Sequence, residues 1–278
     1  MPSSRLLQDF GTSGSLRLLG NNSIFMAIQE IQRLEQAAAN ALPPSLLRLD
    51  EGWRLRADGG GARRANSVLA EYHSLDTSLN EKIDRAEAFY KRLGKPARFQ
   101  LCPTSQPLSL DDLLAERGYR TSSGAVVQRA PLTKVLARVV KQAIPDAVVE
   151  LNLSSDWLSL YAQATGVKGY VLEAKRTLFG RIPSLSAFVT VRLAGIPAAV
   201  VLGVLEEGQL GVFNMATLPS LRRRGAARSI IHALAIWGAQ MDARMMYLQV
   251  AEENLPARAL YTQLGFQTLY AYHYREAS

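Results

Sequence analysis

Arg222, Arg223, Arg224 and Arg228 crowd around Gly225 and Ala227 in the stretch LGVFNMATLPSLRRRGAARSIIHALAIWGAQ. An apolar strand runs into a Pro219-containing loop. The pattern Arg222-x-x-Gly225-x-Ala227 follows, and then a helix with Ile230, Ile231, Leu234 and Gly238 on its buried face. The first turn of such a helix has unpaired backbone N–H groups at the positive end of its dipole. A multiply charged anion such as a pyrophosphate fits there. Gly225 lets the backbone approach phosphate oxygens with no Cβ in the way, and Ala227 is the next smallest choice. The arginines add charge-assisted hydrogen bonds. The spacing is neither the three-glycine dinucleotide fingerprint nor the Gly-Lys-Ser/Thr of a P-loop.

The rest of the composition narrows the chemistry. The chain has 278 residues, a formal net charge of +8, 48% hydrophobic and 20% charged residues. That is an ordinary globular composition, long enough for one large or two medium domains. No apolar run reaches the ~20 residues that span a bilayer. One cysteine, Cys102, allows no internal disulfide, and His73, His232 and His273 are too scattered for metal-ligand spacing. A cytoplasmic, metal-free protein is expected. The positive charge fits nucleic acid, an anionic membrane or an anionic small molecule. A local arginine cluster suits a compact polyanion, and the interleaved aromatics or recognition helix of a nucleic-acid module are lacking.

The elements that must hold this loop can be laid out in order. Residues 1–25 form a Ser-, Gly- and Asn-rich leader without a signal-peptide core, so translation starting at Met26 is one reading. Met26 opens an amphipathic helix through Ile28, Ile31, Leu34 and Ala38, closed by Pro43-Pro44. A first domain, 26–131, follows. It has a strand from Leu47 to Ala57, a short run NSVLAE, a helix from Asp76 or Thr77 to Arg92, a strand Arg98 to Leu101, a helix Leu108 to Arg117 and a strand Tyr119 to Arg129. Residues 132–146, expected as a basic helix or strand up to Ile144-Pro145, link it to a second domain, 147–278. There the strands are Val148–Leu153, Ser184–Leu193, Ala198–Leu205, Gln209–Thr217, Met245–Val250 and Phe266–Arg275. Helices fall at Ser155–Gln163, Val171–Phe179, Gly225 to about Met241 and Pro256–Leu264. Both halves end in strand, helix, glycine cap, aromatic and strand, at Gly118-Tyr119 and Gly265-Phe266, which suggests an internal duplication.

Arg-x-x-Gly-x-Ala between strand and helix resembles the acyl-CoA pyrophosphate loop of the GNAT superfamily of N-acetyltransferases. The continuation MMYLQVAEENLPARALYTQLGFQTLYAYHYRE resembles that superfamily's strand, Asn-x-x-Ala helix and Gly-Phe strand entry. The match is good over 184–275, looser over 147–183, and over 46–130 only that of a degenerate second copy. The fold implied is α/β (α+β): two such domains, each a mixed, mostly antiparallel sheet flanked by helices, with a splayed central strand pair in the second.

The resemblance also implies roles. Phe213, Asn214, Met215, Ala216 and Thr217 would bond the pantetheine arm of acetyl-CoA along the strand, with an N–H near Met215 or Ala216 polarising the thioester carbonyl. Arg222, Arg223, Arg224, Gly225, Ala226, Ala227, Arg228 and Ser229 would hold the pyrophosphate. Asn254 would bond the pantetheine and Ala257 leave room for it, while Tyr261 would protonate the departing thiolate. An amine of unspecified identity would attack directly. Glu252 and Glu253 are candidates for the base, and Ala251 stands where the superfamily often has an acid. The first half has no Arg-x-x-Gly, and Leu114 stands where Tyr261 stands in the second. Its expected jobs are to wall the acceptor site, to pack against the active half, or to dimerise. A non-catalytic acyl-CoA sensor is the alternative reading.

Overall fold

The computed structural model describes residues 21–73, 77–139 and 146–277. Residues 1–20 of the expected leader and Asp76 lie outside them. The first helix, α1 (Asn21–Asn40), begins ahead of Met26, so residues 21–25 are helical. The single strand expected from Leu47 to Ala57 is a hairpin, β1 (Leu46–Asp50) and β2 (Trp53–Ala57). Glu51 and Gly52 turn the chain at positive φ of 47° and 84°. There follow β3 (Val68–Ala70), α2 (Leu79–Arg92), β4 (Arg98–Leu101), α3 (Leu110–Glu116) and β5 (Arg120–Pro131). The segment expected as a linker contains α4 (Leu132–Val139), which buries Leu132, Val135 and Val139. The second half has β6 (Ala147–Glu150), α5 (Ser155–Thr165), α6 (Gly169–Phe179), β7 (Leu185–Leu193), β8 (Ile196–Glu206), β9 (Gln209–Thr217), α7 (Ala226–Gln240), β10 (Met245–Ala251), α8 (Leu255–Gln263) and β11 (Gln267–Glu276).

All eleven strands form one sheet, in the order β1-β2-β3-β4-β11-β5-β10-β9-β8-β7-β6. Among the described residues only β3–β4 and β9–β10 are parallel, one pair in each half. The last strand of each half pairs with the other half. β11, the end of the second half, pairs with β4 of the first, and β5, the end of the first, pairs with β10 of the second. β5 and β11 then pair with each other along the middle of the sheet. Gly124 permits that crossing: a Cβ there would stand 2.2 Å from the Tyr272 carbonyl oxygen.

Alternation along the strands divides the core by face. On one face of the second half, Met246, Leu248 and Val250 of β10 pack with Ile230, Ile231 and Leu234 of α7 and with Tyr261 of α8. On the other, Tyr247 of β10, Phe213 of β9 and Tyr270, Tyr272 and Tyr274 of β11 pack under α1, α5 and α6. A third cluster gathers Trp53, Phe99 and Leu114 around α2 and α3.

Candidate active site

The site is built where β9 and β10 part. Their parallel register runs from Gln209↔Met245 to Val212↔Leu248 and stops, although β9 continues to Thr217 and β10 to Ala251. The edge of β9 from Phe213 to Thr217 that faces β10 therefore has no strand partner, and an extended ligand arm can take its place. A bulge aims this segment. Leu202 pairs with Phe213 and Val200 with Ala216, so Asn214 and Met215 together oppose Val201. Asn214 has a φ of +49°, in the left-handed region that asparagine tolerates better than most residues. Its Oδ1 accepts from Tyr161 Oη of α5 at 3.4 Å. Met215 goes to the opposite face, where its sulfur meets Tyr261 Oη at 3.9 Å.

After Thr217 the chain makes a short 3-10 turn at Pro219–Leu221 and enters α7. Gly225 caps α7 at a φ of +88°, and Arg223 also has positive φ, 64°. A Cβ on Gly225 would touch no atom of the protein within 4 Å. The requirement for glycine there is thus the backbone conformation together with whatever approaches from outside. Arg228 and Ser229 N–H both bond to the Gly225 carbonyl, whereas the N–H groups of Arg223 through Ala227 find no backbone acceptor among the described residues. Arg222, Arg223 and Arg224 are exposed beside this row of donors. Arg228 reaches Gln263 Oε1 at 2.7 Å and so ties the loop to α8.

α8 carries the remaining predicted residues. Asn254 caps it, its Oδ1 accepting from Ala257 N at 3.2 Å, which leaves its amide N–H groups free to donate outward. Ala257 is half-buried against the cluster that contains Tyr261. Tyr261 is buried, edge-on to Phe266, and burial pushes its phenol up to about 12, so it carries its proton at neutral pH. Glu252 and Glu253 are exposed in the turn after β10. All the sequence-predicted site residues thus lie along one path, from the start of α7, through the β9–β10 gap, to α8.

Sequence reasoning missed the groups on the other face of the gap. Tyr161 stacks on Trp157 and holds Asn214. Gln249 is the first β10 residue beyond the paired rungs, and its Nε2 is buried without a hydrogen-bond partner. Arg56 was hidden by its setting in WRLRA, where alternation marks it as outward-facing; it is instead buried. Tyrosines at 270, 272 and 274 were the available signal for that covered face. A concavity of about 1260 Å³ between α1 and residues such as Arg129, Glu206 and Arg244 adjoins the far ends of β9 and β10 from the gap. Among the described residues no group of three or more His, Cys, Asp or Glu could hold a metal. No helix there is long and apolar enough to cross a membrane.

In the first half the parallel pair β3–β4 has only two rungs, Val68↔Phe99 and Leu69↔Gln100. The opening beyond them is filled by the chain itself, with Gln106 N–H bonded to the Ala70 carbonyl at 2.9 Å. Leu114, at the position of Tyr261, is wholly buried.

The uncharacterized N-acetyltransferase YobR of Bacillus subtilis (strain 168) is 29% identical over 250 residues, covering 89% of this chain and 99% of YobR. A GCN5-related N-acetyltransferase from Kribbella flavida superposes with a TM-score of 0.67 at 15% identity, over 88% of this chain and 95% of its own. A tandem GNAT protein from the clavulanic acid biosynthesis pathway gives 0.55 at 12% identity, over 71% and 69%. A family model described as "Probable histone acetyltransferase Rv0428c C-terminal" matches residues 28–275. The chain is a member of that family and, with it, of the GNAT superfamily.

Proposed function

We propose that this protein transfers an acetyl group from acetyl-CoA to a primary amine by direct attack within a ternary complex. The observation that carries the reading is the alignment of three features on one path: free N–H groups at the start of α7, an unpaired β9 edge, and a protonated Tyr261 beside Met215. Arg222, Arg223, Arg224, Arg228 and the loop amides bind the pyrophosphate. The β9 edge bonds the pantetheine arm, and an N–H near Met215 or Ala216 stabilises the oxyanion as the amine adds to the carbonyl. As the C–N bond forms and the C–S bond breaks, Tyr261 supplies the proton to sulfur and the ammonium proton leaves to water. A phenol at about 12 is a weak acid for a thiolate, so its share is largest as a hydrogen bond to the departing sulfur.

Thiol release from acetyl-CoA, followed against a panel of primary amines, tests the activity. Acetyl-CoA binding measured by calorimetry separates it from the sensor reading: binding without release under any amine would favour the sensor.

A further inference from the structure

A cationic cluster lies buried beneath α1, on the face of the sheet that carries α5 and α6. The Arg56 guanidinium meets only neutral acceptors, Ser67 O, Ser67 Oγ and Gln100 Oε1, at 2.9–3.1 Å. Arg64 gives one nitrogen to Glu35 Oε2 at 2.6 Å and lies 4.9 Å over the Tyr272 ring. Its Nε and its other terminal nitrogen are buried with no partner. Glu35 is further engaged by Gln100 and Tyr270. Neighbouring Arg54 and Arg98 have their own carboxylates, Glu71 and Glu276. Two buried guanidinium groups thus share one carboxylate. An uncompensated buried charge and unmade buried hydrogen bonds are both unfavourable, and an anion beside Arg64 relieves both.

The register connects this cluster to the acyl-transfer point. Three positions beyond the last rung, allowing for the one-residue bulge in β9, continuation of the register sets Ala216 of β9 opposite Ala251 of β10 across the gap. Ala251 pairs with Ala125 of β5, and Ala125 pairs with Tyr272 of β11. These positions share the α5/α6 face, so a floor of alanines leads from the gap to Tyr272 and Arg64. Two strand spacings, about 10 Å, separate Ala251 beside the gap from Tyr272 beneath Arg64. Gly59 and Gly60, which lie against Ala174 of α6, precede Arg63 and Arg64 in the chain.

Building on the acetyltransferase reading, we propose that the acceptor is an amine bearing a carboxylate about 10 Å away, bound by Arg64 over Tyr272 while the amine reaches the gap between Ala216 and Ala251. The full-length protein is assayed with acetyl-CoA and three probes: triglycine, triglycinamide and a lysine-rich basic peptide. Triglycine is expected to exceed triglycinamide in kcat/KM by about tenfold or more, the worth of one charge-assisted contact. The double variant Glu35→Leu/Arg64→Leu removes one charge of each sign. It should bring that ratio close to one while leaving the acetyl-CoA Kd unchanged. Arg64→Lys, which keeps the charge opposite Glu35, should lower the ratio with less risk to folding. Equal rates for acid and amide, preference for the basic peptide, or acetylation of a simple alkylamine with no use of triglycine would each overturn the proposal. Failure of acetyl-CoA to bind at all would instead reject the acetyltransferase reading.

Discussion

Two residues carry the most discriminating tests of the cofactor path. Gly225 sits at a φ of +88° with open space around its missing Cβ. Gly225→Val is therefore expected to cost about 1–3 kcal/mol through backbone strain, and to weaken acetyl-CoA binding at least tenfold. Calorimetry together with thermal unfolding separates the two effects; full affinity in a folded variant would remove the loop from the site. Tyr261→Phe keeps the ring against Phe266 and loses only the hydroxyl. It should lower kcat about 10²-fold with little change in acetyl-CoA affinity, whereas an unaltered kcat would take the phenol out of the mechanism. The pH profile carries the same information. An acid must be protonated to act, and burial raises this one to about 12. The alkaline fall assigned to Tyr261 therefore lies above pH 11, and kcat should not decline between pH 8 and 10 on its account.

At the scale of elements, the crossing of β5 and β11 depends on Gly124. Gly124→Ala would place a methyl 2.2 Å from a carbonyl oxygen, an overlap that backbone must move to relieve. We expect a loss of about 1–3 kcal/mol, read as a lowered Tm, with acetyl-CoA affinity reduced because β10 is braced by β5. Strand β9 and helices α7 and α8 were legible in the sequence to within a residue or so, since long periodic segments and a glycine turn leave little choice of register. The hairpin at Glu51-Gly52 was not, because alternation persists across it and only the positive φ of both residues betrays the turn. Nor was the exchange of β5 and β11. Local patterning states that a strand exists and which face is apolar, and two halves that both end in glycine, aromatic and strand offer each last strand two acceptable neighbours. The phosphate loop was readable because its chemistry is contiguous. The Arg56, Arg64 and Glu35 cluster was not, since it is assembled from α1, β2 and the turn before β3.

For the whole molecule, the shared sheet makes the halves interdependent. A chain limited to residues 146–278 retains every residue of the proposed cofactor path. It nevertheless lacks β5, the neighbour of both β10 and β11. It is expected to be aggregated or molten, with weak near-ultraviolet circular dichroism and no acetyl-CoA binding; a monomeric, binding-competent fragment would show that the exchange is dispensable. Asp58 and Arg181 add a cross-half ion pair at 2.6 Å whose carboxylate is almost fully buried. The exchanged strands also impose an order on biosynthesis. Arg98 on β4 meets Glu276 on β11, 178 positions later, so those residues must be synthesised before the first half receives the strand beside β4. Until then β4 has an open edge, and long-range strand pairing of this kind is slow and exposed to misassembly. The first half therefore cannot complete its sheet until the second half has been made, and the yield in cells should respond to chaperone supply more strongly than the final stability would suggest.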